Sequence, residues 1–283
     1  MIQESPIVRS QVFAASVAFS IAILACVDAS AEPALRIGGT GSAMGTAAAL
    51  ATEYASSGHH TRPRLLGNLG TGGALNALGA GAIDLAIAGR ALEQAEATRF
   101  YALPLSRTPL VFAAHRKVGL KNVTLQQAMQ LYGGVQISWP DGQRVRPILR
   151  PMSDSDTTAL RAISQEFDVA VLRAHAIKGL QTAVTDEDNI AAIASTPGAF
   201  GTTTLAMLTS DNRSVCVLAL DGIAPTTRAL DEGLYKLHKS FYVVFRTPAA
   251  PEVQRFVDFV FSRRGKAIVL RYGQIPAAPP SAP

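Results

Sequence analysis

Three times in this chain a short apolar run ends in a cluster of glycine and hydroxyl residues, and a helical pattern begins at once. Leu35-Arg36-Ile37 runs into GGTGSAMG (38–45), RLLGNL (64–69) into GTGG (70–73), and VRPILR (145–150) into a loop containing SDSDTT (153–158). Glycine lets the backbone approach a ligand closely, Ser and Thr offer hydroxyl donors, and the first turn of a helix leaves N–H groups unpaired. In an open α/β sheet such loops gather at the carboxyl ends of the strands, where small ligands bind. The same residues also cap helices in ordinary turns. One junction alone therefore says little, but three of one chemistry point to a small-molecule site.

The rest of the chain keeps the alternation of strand and helix signals, which predicts an α/β fold. Ala47, Leu50, Ala51 and Tyr54 share one helix face, and Gly58 ends that helix. Ile83, Leu85 and Ile87 alternate as a strand, and PLVFAAH (109–115) reads as a buried one. Thr124 and Gln127 form a capping-box pattern before a helix through Met129 and Tyr132. After the third loop, Leu160, Ile163 and Phe167 fall at the spacing of a single helix. Thr185 followed by Asp186, Glu187 and Asp188 opens another, with acids at the positive end of the helix dipole. AFGTTTL, VCVLAL and FYVVFR are predicted strands. Val253, Phe256, Val257 and Val260 mark a C-terminal helix, and Lys266 to Tyr272 continues the helical pattern. The Pro/Ala-rich tail, 277–283, is expected to be disordered.

The N-terminus carries an export signal pattern. Residues 12–25 are an apolar run shorter than the roughly 20 residues a membrane span needs, and Ala29-Ser30-Ala31 follows as a cleavage site. This predicts a signal peptide over 1–31 and a periplasmic mature chain from Glu32. Ile23-Leu24-Ala25-Cys26 resembles a lipobox, so anchoring through a lipidated Cys26 stays open. Roughly 250 residues remain, enough for one large domain or two lobes. Cys216 is then the one cysteine left, which precludes an intrachain disulfide; within VCVLAL it reads as a buried thiol.

The formal net charge of +5 at pH 7 is spread along the chain. No Lys/Arg-rich run with interleaved aromatics appears, which argues against nucleic acid as a partner. His59, His60, His115, His175 and His238 show no metal-ligand spacing, so no metal site is predicted. GGTGSAMG lacks the Gly-Lys-Ser/Thr of a P-loop, and Met44 stands where a dinucleotide fingerprint needs its third glycine. No Gly-x-Ser-x-Gly elbow is present. No cofactor and no catalytic residue is assigned, and the chain is not expected to be an enzyme.

With the loops in place, the chain resembles the periplasmic phosphate-binding proteins of ABC importers, a branch of the type II periplasmic binding fold. The resemblance runs from about Leu35 to Pro276. It rests on GGTGSAMG, GTGGALNALGAGAIDLAIAGRAL (70–92), VTLQQAMQLYGGVQISWPDGQRVRPILR (123–150), SDSDTT, STPGAFGTTTLAML (195–208) and FVDFVFSRRGKAIVLRYGQIP (256–276). It implies two lobes joined by a hinge, with lobe one over 32–112 and 236–276 and lobe two over 113–235. It also implies a monomeric state, one small anionic ligand such as phosphate, and ABC permease subunits as partners.

Carried over residue by residue, the resemblance implies ligand contacts from Ser42, Ala43 and Met44, from Thr71 and Gly72, and from Ser155 and Thr157. A Thr71→Val change is accordingly expected to weaken binding at nearly unchanged stability. Several positions depart from the family pattern. Ala43 replaces a hydroxyl, and Asp156 replaces the second glycine of the third loop. The loop arginine falls at Pro151 or its neighbours, with Arg150 beside it. Gly89 takes the place of an aspartate that accepts a proton from phosphate, and Arg90 follows it. Two like charges about 4 Å apart repel by roughly 4 kcal/mol at an effective dielectric of 20. Asp156 therefore opposes an anion unless Arg90 offsets it or Asp156 faces solvent. The expected function is extracytoplasmic capture of a small oxyanion, phosphate first, for an ABC importer. The alternative is a sensor or scaffold of the same fold that does not bind phosphate.

Overall fold

The computed structural model describes residues 34–58 and 62–278. The signal segment, Cys26, the Ala29-Ser30-Ala31 site, His59, His60 and residues 279–283 of the tail lie outside them. Among the described residues the chain begins β1 (Arg36–Gly39), α1 (Gly41–Ser56), β2 (Arg64–Asn68), α2 (Gly70–Gly79), β3 (Leu85–Ala88), α3 (Gln94–Ala97) and β4 (Tyr101–His115). It continues with β5 (Asn122–Val123), α4 (Leu125–Tyr132), β6 (Arg146–Leu149), α5 (Ser155–Arg161), α6 (Gln165–Ala176), β7 (Gln181–Thr182) and α7 (Asp186–Ser195). Then come β8 (Ala199–Thr204), α8 (Leu205–Ser210), β9 (Val215–Val217), β10 (Ala219–Leu220), α9 (Thr227–Asp231) and β11 (His238–Phe245). The last are α10 (Pro251–Phe261), α11 (Arg263–Arg271) and β12 (Ile275–Pro276).

The expected α/β class is observed. The main sheet runs β2-β1-β3-β11-β4-β8-β6-β7, with β9 and β12 also on β4. β1 pairs in parallel with β2 and β3, and β6 in parallel with β7 and β8. β11 runs antiparallel between β3 and β4. β4 changes partner along its length: Tyr101 to Pro109 face β11, whereas Leu110 to Ala114 face β8.

The core divides at the same place. Leu103 and Leu105 join Ile37, Leu50, Phe241 and Phe256 in one cluster. Leu110 and Phe112 join Tyr132, Phe167 and Phe200 in another. Phe112 stacks on Phe200 with ring centroids 5.7 Å apart. Each such fully buried side chain contributes about 1.5–3 kcal/mol relative to exposure, so each cluster holds its own half of the sheet.

Local chemistry sets most of the helix boundaries. Thr124 caps α4 by accepting from the Gln127 N–H, and Gln127 returns the bond to the Thr124 N–H. Thr185 caps α7 through the Asp188 N–H. The single helix expected across Leu160, Ile163 and Phe167 is instead two. The Ser164 hydroxyl accepts from the Phe167 N–H and starts α6 afresh, so a capping residue inside the apolar repeat overrides the period. β3 is buried at every position rather than at alternate ones, as a parallel strand covered on both faces must be.

Candidate functional site

The start of α1, the ends of β2, β3 and β6, the starts of α2, α5 and α7 and the start of β11 bring polar residues together. The first is the start of α1. Thr40 and Ser42 are both buried there. The Ser42 hydroxyl donates to Asp186 Oδ1 at 2.7 Å, and Thr40 Oγ1 lies 3.4 Å from Asp186 Oδ2. Asp186 is the first residue of α7, so its carboxylate sits on the N-terminus of another helix, where a bound anion would be favoured. Gly41 makes this approach possible, because a Cβ there would lie 2.7 Å from Asp186 Oδ2.

Asn68, at the end of β2, ties three helix starts together. Its Oδ1 accepts from the Gly41 and Gly70 N–H groups, and its Nδ2 donates to Glu187 at 2.5 Å. The α2 start adds Thr71, whose hydroxyl accepts the Gly89 N–H at 2.8 Å. That bond gives Thr71 a structural task that its sequence position did not reveal, and a Thr71→Val change cannot leave stability unchanged.

Arg150 follows β6 and reaches inward. It bonds Asp154 at 2.7 Å and the Ala183 carbonyl at 2.9 Å, and its Nη2 stands 3.8 Å from Asp186. Asp154 is also the N-cap of α5, accepting from the Asp156 N–H at 2.8 Å. Asp156 does not face solvent. It is 1% exposed and forms a 2.5 Å ion pair with Lys239, itself 2% exposed on β11. Lys239 Nζ lies 3.5 Å from Ser42 Oγ as well.

The cation that balances Asp156 is therefore Lys239, and not Arg90 as the sequence suggested. Arg90 turns away to grip Glu96 at 2.7 and 2.8 Å, with Glu93 at 3.1 Å. The other expected residues divide as follows. Ser42, Thr71, Gly89, Ser155, Asp156 and Thr157 are buried together, while Gly72 is exposed. Ala43 lies in the hydrophobic core and Met44 packs against it. The Ala43 N–H is taken by the Thr40 carbonyl, and the Thr157 hydroxyl donates to the Arg150 carbonyl.

The electrostatics follow from a simple imbalance. Among the described residues, Asp154, Asp156 and Asp186 meet Arg150 and Lys239, leaving one negative charge in surplus. Burial pushes the Asp186 carboxyl up, but Lys239, Arg150 and the Ser42 hydrogen bond outweigh it and hold its pKa below the ordinary value. The surplus falls on Asp156: burial, joined by repulsion from Asp154 and Asp186, raises its pKa despite Lys239. Burial works against the Lys239 ammonium, yet Asp156 and Asp186 carry its pKa above the usual lysine value. Asp156 Oδ2 and Arg150 Nε are buried without a hydrogen-bond partner, two polar atoms left over inside the cluster.

Sequence reasoning missed Lys239 and misread Asp186. Lys239 borders an apolar strand and gave no motif. Asp186 looked like an ordinary first-turn acid, and its reach to Ser42 spans 144 residues of sequence.

The chain is similar to several known proteins. Phosphate-binding protein PstS 2 of Streptococcus agalactiae is 33% identical over 85 residues, covering 30% of this chain and 28% of that protein. The match thus spans just over a quarter of that relative's length. A protein assigned as a phosphate ABC transporter substrate-binding protein, from Clostridium perfringens and solved with bound phosphate, superposes with a TM-score of 0.75. The identity is 17%, covering 87% of this chain and 100% of that one. An ABC-type phosphate transport receptor from Vibrio cholerae gives 0.62 at 18% identity, covering 85% and 99%. The regulatory domain of CcmR from Synechocystis, solved with 2-PG, gives 0.54 at 16% identity, covering 80% and 94%. These likenesses establish the two-lobed fold of periplasmic binding proteins. The model of the PBP superfamily domain matches residues 27–264, and the chain belongs to that family.

Proposed function

We propose that this chain is an extracytoplasmic solute-binding protein that captures a small oxyanion, phosphate first, and presents it to an ABC permease. One observation carries the reading. The Ser42 hydroxyl, the Thr40 hydroxyl and the Arg150 guanidinium all converge on one carboxylate at the start of α1. That is the donor set an oxyanion needs, built on rigid elements. The phosphate transport proteins among its structural relatives support the same ligand class. The lobes, 32–112 with 236–276 and 113–235, would close on the ligand by hinge motion. The export pattern at the N-terminus supports a periplasmic location, and no chemistry on the ligand is part of this reading.

The test is isothermal titration of the mature protein against phosphate, sulfate, molybdate and small carboxylates. Saturable binding of an oxyanion supports capture. A second reading, a sensor or scaffold of the same fold, is favoured by the fact that Asp186 already occupies the donors. Absence of binding by every oxyanion, with a partner protein retained on the column, would establish it.

A further inference from the structure

We propose that Asp186 is the specificity-determining residue of this cleft, an internal anion that competes with the solute for the seat at the start of α1. The inference rests on the oxyanion reading above and adds the rule by which the site admits its ligand.

The competition is visible in the geometry. Asp186 takes the Ser42 hydroxyl at 2.7 Å, accepts at 3.4 Å from Thr40, and stands 3.8 Å from Arg150. A free oxyanion would need those same donors, and each is already engaged. Gly41 is shaped to the carboxylate, since any Cβ there would strike Asp186 Oδ2 at 2.7 Å. The contact is backed from both sides. Thr185 caps α7 and fixes where Asp186 emerges, and the neighbouring Glu187 holds Asn68 at 2.5 Å. Such a carboxylate is a local resident of very high effective concentration, so a solute binds only by displacing it.

Charge sharpens the rule. With Asp186 in place, the cluster holds three carboxylates against two cations among the described residues. A dianion entering beside it would meet repulsion from both Asp186 and Asp156. Once Asp186 leaves the seat, Arg150 and Lys239 face the solute with only Asp154 and Asp156 to oppose them. The site thus selects an oxyanion with more acceptor oxygens than a carboxylate has, able to engage Ser42, Thr40 and Arg150 at once and to keep Asp186 out. Tetrahedral oxyanions meet that requirement; acetate-like monocarboxylates offer no advantage over Asp186 itself.

Removing the competitor tests this. Asp186→Asn keeps the shape and the hydrogen bond from Ser42 but removes the charge. Asp186→Ser removes the side chain's reach and serves if the Asn protein melts early. Asp188→Asn makes the same charge change on an exposed position of α7. Titration with phosphate and sulfate, with circular dichroism to confirm folding, is the measurement. Tetrahedral anions should bind Asp186→Asn at least tenfold more tightly than wild type, about 1.4 kcal/mol, and Asp188→Asn should match wild type. Equal affinities in folded wild type and both Asp186 variants overturn the inference while leaving any measured oxyanion binding, and hence the proposed function, intact. An equal gain in Asp188→Asn also overturns it, because net charge alone would then be responsible. Binding that appears only in the Asp186 variants supports the inference and overturns oxyanion capture as the wild-type function.

Discussion

Gly89 and Lys239 share a space that admits only one side chain. A Cβ on Gly89 would lie 2.6 Å from Lys239 Cε and 2.9 Å from Ser155 Oγ. The resemblance to phosphate-binding proteins put an aspartate at this position. Here a glycine stands, Lys239 from β11 fills the space beside it, and Asp156 faces that lysine. Gly89 and Asp156, the two departures from that pattern, thus meet at the same lysine.

The first prediction follows from that packing. Gly89→Ala should destabilise the protein by about 1–3 kcal/mol, the usual cost of overfilling a buried site. In a Lys239→Ala background most of that cost should disappear, since the obstructing Cε is gone. Urea denaturation of the two singles and the double gives the coupling directly. A Gly89→Ala cost of the same size in both backgrounds would show that Lys239 is not what excludes the side chain.

The buried ion pair makes a second prediction. Lys239→Met leaves Asp156 as an unpaired charge in a site 1% exposed, and removing one partner of such a pair costs about 3–5 kcal/mol. Adding Asp156→Asn should recover much of the loss. If the two single losses simply add in the double variant, the pair is not coupled in the folded protein.

Alkaline pH should expose the same lysine. Its folded-state pKa is raised, by Asp156 and Asp186 acting against the effect of burial. The stability it supplies is therefore complete below the unfolded value, about 10.4, and is lost as pH rises through the higher folded value. Wild type should lose stability over that upper window more steeply than Lys239→Met when both are followed by urea midpoint. Parallel curves would exclude Lys239 as the responsible group.

Thr71 offers a fourth prediction that separates structure from binding. Thr71→Val deprives the buried Gly89 N–H of its acceptor, costing about 1–3 kcal/mol. Thr71→Ser retains the oxygen and should melt within a degree or two of wild type. A Val variant as stable as the Ser variant would show that the Gly89 bond contributes nothing net.

Export is checked at the other end of the chain. N-terminal sequencing of the protein recovered from a periplasmic fraction is expected to begin at Glu32. A lipid-modified Cys26 found by mass spectrometry would replace that start site with a membrane anchor.

Much of the fold was legible because it is written in local signals. The Thr124–Gln127 box and the Thr185 cap stand where the pattern placed them, and the three Gly/Ser/Thr junctions do lie at strand-to-helix turns. The split between α5 and α6 was hidden because Ser164 interrupts an otherwise regular apolar period. The site was legible in its frame and not in its charges. Ser42, Gly89, Ser155 and Asp156 are indeed gathered, but Arg90 next to Gly89 reads as an obvious cation until Glu96, six residues on, claims it. Lys239 and Asp156 are 83 residues apart, and no periodicity links them.

The partner change along β4 joins the two halves of the sheet through one strand. A hydrogen-bonded strand of 15 residues resists stretching and sideways shear, so it holds the two cores at a fixed spacing. At the changeover stands Pro109, a residue with no N–H to bond on either side, immediately before Leu110 takes up β8. β4 is thus a torsion bar with its soft section at the junction. Any movement between the halves would then be angular, and would make or break the contacts of Asp186 with Ser42, far from that section along the chain, as a lever swings rather than as a piston slides.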